Sequence, residues 1–229
     1  MGFSGKIIEA DGYNAAVGAT REVIWSKSGT YTFLDEAVIL NIVSSDVGDD
    51  VAGVGIQKIM IEGLDANYDE ISEEISLDGT TNVKSTKKFL RVNKVYTSQV
   101  GANGDAEGNI DIADTTETDY VAYIPAGYNE SLQAVFTVPA RKDFQVHQIY
   151  ASEVEAKDSA IYLMFRLTGD NKPDRIKKIL LFNNSFVVLD TSARLLFQFT
   201  EKTDVWLEGL SDSGSGIISA GMLGTVNYS

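Results

Sequence analysis

The 229-residue chain contains no cysteine, three prolines and a single histidine, His147. Without thiols there is no disulfide framework and no zinc site built on cysteine, so the fold has to hold by packing alone. One histidine is too few for a His-metal cluster, and nothing beyond chance places it in a Ser/His/Asp triad. Next to Phe144 and Val146 on a strand-type run, His147 is read as structural. No apolar run approaches the roughly 18 residues of a membrane span, and the opening MGFSGKIIEADGYN lacks the apolar stretch of a signal peptide; a soluble protein made without classical export is expected. Helical periodicity is scarce as well. It is suggested only at residues 68–77, where Ile71 and Ile75 are four apart, and the turn-rich flanks favour a strand there.

Basic residues are outnumbered, 19 against 33 acidic, for a net charge of −14. An excess of that size repels a phosphate backbone, which makes nucleic acid a poor partner. The acid is unevenly spread. Residues 1–125 hold 21 acidic and 9 basic side chains, residues 126–229 hold 12 and 10. The N-terminal half is therefore expected to be the solvated one.

Strand patterning is abundant, and clearest over residues 56–96. Ile59 and Ile61 share a parity that resumes after the turn Gly63-Leu64-Asp65-Ala66-Asn67 at Ile71, Ile75 and Leu77, with Ser72, Glu74 and Ser76 on the opposite face. Asp78-Gly79 marks a second turn before Val83, so two successive reversals in a meander are predicted. Residues 1–20 are Gly- and Ala-rich without a sustained period, as in an arm that orders only against something else. Beyond Arg21, hairpin spacings link Val23 and Trp25, Tyr31 and Phe33, and a strand over 37–43. Residues 100–119 are weakly patterned and mark the expected boundary between halves. In the second half Ile161, Leu163, Phe165 and Leu167 share a face, and residues 176–182 and 186–189 flank Asn183-Asn184-Ser185 as a tight hairpin. Gly221 and Gly224 weaken the last run as a central strand and point to a bulge or a close backbone approach. About a dozen strands with frequent turns predict an all-β fold, an antiparallel β-sandwich or jelly-roll-like structure. Its parts are an arm (1–20), an acidic β half (21–125) and a C-terminal β-sandwich half (126–229).

The run GLDANYDEISEEISLDGTTNV, with FLRVNKVY at 89–96 and AVFTVPA at 134–140, resembles virion structural proteins of tailed bacteriophages, marine ones especially. Two departures are visible: Asp78 stands where that group is expected to carry Asn, and Arg141-Lys142-Asp143 replaces a Gly-Lys-Thr turn. The resemblance brings no chemical motif. It implies a non-enzymatic virion protein without cofactor, assembled in the host cytoplasm, with the major capsid protein or other virion subunits as partners and self-association into a homo-oligomer. A capsid decoration or cement protein stabilising the head shell is the leading reading, and a tail or fibre component is the alternative. A carbohydrate-binding β-sandwich module is a third, from a different class. For a cement protein, the near-neutral C-terminal half and the arm are expected to grip and the acidic half to face solvent.

The candidate chemical groups are few. Asp65-x-Asn67-x-Asp69 opens like a calcium loop but has Glu70 where the sharp bend needs Gly and Ser76 where a bidentate Glu is required, so an Asx-stabilised turn is expected. Asp46, Asp49 and Asp50 are read by default as a solvated loop, with a shared cation as the alternative. Glu73 and Glu74 suggest a glycosidase pair, yet adjacent strand positions face opposite ways; Lys87, Lys88 or Arg91 is the expected charge partner of Glu73. The basic run Lys84, Lys87, Lys88, Arg91, Lys94, and the smaller Arg175, Lys177, Lys178, are expected to meet the protein's own acids rather than a nucleic acid. Trp25, Trp206 and the ten tyrosines are expected in a β core rather than in a sugar-stacking platform. No catalytic, cofactor-binding or metal-ligating residue is assigned.

Overall fold

Alternation of buried and exposed side chains runs through the computed structural model, which describes residues 5–154, 158–167, 173–190, 197–212 and 215–228. Among these there is no α-helix, and every strand pairing is antiparallel. The all-β class expected from the period-two pattern is what the chain adopts. It divides into two units: the N-terminal segment through Thr30 together with Gln133–Ser229, and Tyr31–Leu132.

The first unit is a two-sheet sandwich. One sheet has the order β1 (Lys6–Val17), β17 (Gly216–Tyr228), β11 (Lys142–Glu153), β14 (Phe186–Asp190), with the short β15 (Gln198–Phe199) also on β11. The other has β10 (Val135–Thr137), β16 (Thr203–Ser211), β12 (Asp158–Leu167), β13 (Arg175–Asn183), with β2 (Glu22–Val23) also on β16. Phe144, Val146, Ile149, Ile218 and Met222 from one sheet meet Phe136, Ile161, Leu163, Val205 and Leu207 from the other in a single core. Phe136 and Phe144 touch across it at 4.8 Å between ring centres. Each such side chain contributes on the order of 1.5 to 3 kcal/mol by leaving water.

The second unit, Tyr31–Leu132, is a smaller sandwich with its own core. Its sheets are β6 (Val83–Phe89), β3 (Val38–Ser44), β8 (Ile110–Asp114), β9 (Tyr120–Ile124), and β5 (Glu70–Ser76), β4 (Ile56–Leu64), β7 (Arg91–Val100). Leu40, Ile42, Ile110 and Ile112 pack on Ile59, Ile61, Ile75 and Val95.

Several sequence expectations are corrected. Residues 1–20 are no arm, because Lys6–Val17 pairs along β17 from Lys6↔Val226 to Val17↔Gly216 and buries Ala10 and Val17. The weak period of that stretch reflects its glycines and alanines, which cost a strand propensity but not backbone pairing. The boundaries at 20/21 and 125/126 give way to Thr30/Tyr31 and Leu132/Gln133, since residues 100–119 lie inside the second unit and carry β8, a strand flanked on both sides. The meander stops after one reversal. Beyond Asp78-Gly79 the chain leaves β5 and pairs β6 with β3, because Gly79 is held by hydrogen bonds to the Asp49 carbonyl and from the Ser44 amide. Similarly, Asn183-Asn184-Ser185 is a turn, with Asn184 at φ +37°, but it joins strands of opposite sheets: β13 pairs β12 and β14 pairs β11. β17, finally, is central despite its glycines.

Candidate functional site

The charged residues singled out in the sequence are held in loop-organising roles. Asp49, fully buried between β3 and β4, accepts four hydrogen bonds. Its Oδ1 accepts from the amides of Ile56 (2.8 Å) and Glu107 (3.0 Å), and its Oδ2 from Ser44 Oγ (2.6 Å) and the Gly108 amide (2.9 Å). One carboxylate thereby fastens the end of β3, the start of β4 and the loop at 107–108, taking up three amides and a hydroxyl. Asp46 accepts from the Gly48 amide and Asp50 from the Ala52 amide, each within its own turn, while Asp49 reaches across to the 107–108 loop. No cluster of three or more His, Cys, Asp or Glu placed to hold a metal occurs among the described residues. Asp65 closes the β4–β5 hairpin as an Asx turn, accepting from the amides of Asn67 (2.8 Å) and Asp69 (3.0 Å), with Tyr68 at φ +66°.

Glu73 and Glu74 diverge. Glu74 pairs with Lys58 at 3.2 Å. Glu73 reaches from β5 to β6 and accepts from the Thr86 amide and hydroxyl and from the Lys87 amide at 2.8 to 2.9 Å. Burial alone would raise its pKa, but these bonds and the Lys87 charge outweigh it and hold the carboxyl below the usual range. The bond falls where β6 slips register against β3, so it also ties down an irregular edge strand.

The basic run is dispersed in the same way. Arg91 is buried, donating to the carbonyls of Leu34 (2.6 Å) and Leu90 (2.9 Å), with its guanidinium 5.3 Å from the Phe33 ring centre. Lys87 donates to the Ser72 carbonyl, and Lys94 pairs with Glu130 at 2.8 Å. An open groove of about 550 Å³ runs past Lys87, Lys88, Glu36 and Asp65, lined by both signs of charge. His147 is the extra residue of a β-bulge on β11, its Nε2 2.9 Å from Thr225 Oγ1. Trp25 and Trp206 are buried, the first donating to the Gly29 carbonyl and the second to Glu208, with the Arg166 guanidinium 5.5 Å from the Trp206 ring centre.

Two arrangements went unread in the sequence. Asp114 folds the β8–β9 turn by accepting from the Thr116 hydroxyl and from the amides of Thr116, Thr118 and Asp119. Its signal, Asp114-Thr115-Thr116 ahead of a second strand, is ordinary Asx-turn chemistry and was available. Tyr150 donates to Asp11 across β17, a pairing with no local trace because 139 positions separate the two residues.

No protein-family profile and no curated protein sequence matches the chain. Solved structures similar to it come from infectious bursal disease virus. The Gt strain structure shares 11% identity at a TM-score of 0.23, over 98% of this chain and 72% of that one. The Gx strain structure shares 12% at 0.23 over the same proportions. The crystal structure of the VP2 subviral particle shares 11% at 0.22, over 96% and 71%. Scores at this level assign neither a fold nor a function.

Proposed function

We propose that the chain is a non-enzymatic structural protein of a tailed-phage virion, acting as a capsid decoration or cement protein that clamps neighbouring shell subunits. The observation that carries this reading is strand order. Counting the eight principal strands of the first unit along the chain (β1, β10, β11, β12, β13, β14, β16, β17), the sheets run first-eighth-third-sixth and second-seventh-fourth-fifth. That interleaving is the order of a jelly roll, an architecture recurrent in viral capsid and lectin domains and in cupins. A fold alone does not fix a function; the motif resemblance at 63–83, 89–96 and 134–140 is what selects the virion among those hosts. Burial of both tryptophans takes them out of the aromatic platform weighed for the carbohydrate-binding alternative and leaves exposed tyrosines such as Tyr128 and Tyr228.

Charge favours a cement role. Tyr31–Leu132 holds 19 acidic and 6 basic residues, and the remainder of the chain 14 and 13. The near-neutral unit can approach a shell without stranding carboxylates, each of which would cost several kcal/mol if buried unpaired, while the acidic unit is the one that water wets. The major capsid protein is the expected partner. Quantifying the chain in purified virions tests the assignment: on the order of hundreds of copies, matching the shell's symmetry, are expected, and a number fitting a single small ring would indicate a tail or fibre component instead.

A further inference from the structure

Three steps in the chain set an acid or amide directly before glycine, Asp11-Gly12, Asp78-Gly79 and Asn103-Gly104, and Asn103 is the one asparagine so placed. At such a step the missing Cβ lets the glycine nitrogen fold back onto the carbonyl carbon of the preceding side chain. The first two steps are locked. Gly12 is buried inside β1 opposite Ala220, and the Asp11 carboxylate is held by the Tyr150 hydroxyl. The Gly79 amide donates to the Asp49 carbonyl at 2.8 Å. Asn103 and Gly104, by contrast, are both exposed in the connection between β7 and β8. Gly104 stands at φ +86°, with no atom within 4 Å of where a Cβ would lie. Among the described residues its amide has no hydrogen-bond partner. Of the three steps, this one alone is open to water with its glycine nitrogen uncommitted.

We infer that Asn103 is a site of self-modification, at which the side-chain amide is converted to a carboxylate and the tip of the β7–β8 loop is released. The Gly104 nitrogen bonds to Cγ of Asn103 as the Cγ–Nδ2 bond breaks, and Nδ2 leaves as ammonia with the Gly104 proton. Water then opens the cyclic imide. Cleavage of the new N–Cγ bond leaves aspartate at 103; cleavage between the main-chain carbonyl and the Gly104 nitrogen leaves isoaspartate, with the chain rerouted through Cβ and Cγ. The balance is amide plus water to acid plus ammonia. Asn103 Nδ2 donates to Glu107 Oε1 at 2.6 Å, so the aspartate product sets two carboxylates together where a hydrogen bond stood. The isoaspartate product loses the same bond and lengthens the main chain by a carbon. Both ends of the loop stay fastened, the Gly101 amide to the Gly55 carbonyl at 2.7 Å and the Glu107 and Gly108 amides to Asp49, which confines the change to the tip.

This property belongs to the isolated chain and stands apart from the virion reading. Peptide mapping by mass spectrometry tests it, on the full chain kept folded at mildly alkaline pH until a synthetic peptide of residues 99–107 in the same buffer has converted. The segment carrying Asn103 should split into two products of equal mass, each heavier by the exchange of an amide for an acid, ahead of every other asparagine. Asn103→Gln, whose longer side chain disfavours the ring closure, should show neither product. Asn103→Asp should speed amide hydrogen exchange over residues 101–106 and leave β8 unchanged. An Asn103 that stays intact in the folded chain overturns the inference, as does earlier conversion of another asparagine, the same split in Asn103→Gln, or wild-type exchange over the loop in Asn103→Asp.

Discussion

Tyr150 donates a hydrogen bond to Asp11 over the bare backbone of Gly221, the β17 residue that stands opposite both in the ladder. A Cβ at Gly221 would run into the Asp11 carboxylate and the Tyr150 phenol, so the glycine is what lets the two strands flanking β17 exchange a side-chain bond. Gly221→Ala is expected to cost about 1 to 3 kcal/mol through overpacking, and Tyr150→Phe about 1 to 2 kcal/mol through loss of a bond to a charged acceptor. Burial pushes the phenol upward, and the bond to Asp11 and the charges of Asp11 and Glu9 push it further. In the unfolded chain it ionises near about 10. A folded-state value above that means the stabilisation is complete below pH 10 and is lost as pH rises. Urea unfolding between about pH 8 and 11 should show that loss, smaller in Tyr150→Phe.

Asp114 gives the opposite pH dependence. Burial acts to raise its carboxyl, but bonds from the Thr116 hydroxyl and the amides of Asp119, Thr116 and Thr118 outweigh it and hold the pKa at about 2. Its folded value lies below the unfolded one, so its contribution is present above about pH 4 and disappears as pH falls toward about 2. Asp114→Ala should flatten the acid limb of a stability–pH curve relative to wild type. An unchanged limb would mean the turn is not held by this carboxylate.

Asp49→Ala strands the amides of Ile56, Glu107 and Gly108 and the Ser44 hydroxyl in a buried site. A loss of about 3 to 5 kcal/mol in denaturant is expected, because unpaired buried donors carry their full desolvation cost. With its carboxylate oxygens already engaged by protein donors, EDTA should leave the wild-type melting temperature unchanged. A fall restored by calcium would contradict this.

What the sequence made legible was local. The parity of Ile59, Ile61 and Ile75, the Asp65 turn, the polar loop 44–55 and the close approach at Gly221 were all readable from period and turn chemistry, which act over a few residues. Which strand pairs with which was not. Gly79 and Asn184 sit in turns that look like hairpins, yet each sends the chain to the opposite sheet, and only distant partners such as the Asp49 carbonyl decide that. The first strand is illegible for the same reason: Lys6–Val17 becomes a strand through β17, some two hundred residues away. Charged residues were correctly given structural roles where the partner was near, as for Asp65, but the convergence on Asp49 needed Glu107 and Gly108 and had no local trace.

Face assignment on β12 yields a graded test. Ile161 and Leu163 are buried in the core, whereas Phe165, which shares their parity, is only partly buried and rests 5.6 Å from Phe199. Leu163→Ala should cost about 2 to 5 kcal/mol. Phe165→Ala should fall short of the roughly 3 to 5 kcal/mol of a fully enclosed phenylalanine, near about 2 to 3. Chemical denaturation of both variants measures the pair, and a larger loss at Phe165 than at Leu163 would put the core on the wrong side of this strand.

The division at Thr30/Tyr31 and Leu132/Gln133 predicts that residues 31–132 fold when expressed alone. Both sheets of that unit, and the core they enclose, come from within it: Leu40, Ile42, Phe89 and Ile112 on one side, Ile59, Ile61, Ile75 and Val95 on the other. Its long loops are fastened internally as well, residues 44–56 to 107–108 through Asp49, and the Val95 amide to Ser131 Oγ near the end of the unit. A segment of this size with a private core meets the ordinary condition for an independent domain. Its 19 acidic against 6 basic residues give a net −13, so self-repulsion should make it markedly less stable at low ionic strength than at about 0.5 M salt, while keeping it soluble. The expected result is a strand-type circular dichroism spectrum and one cooperative urea transition whose midpoint rises with salt. A spectrum of unfolded chain at high salt, or a transition without cooperativity, would show that the second sandwich depends on the first for its fold.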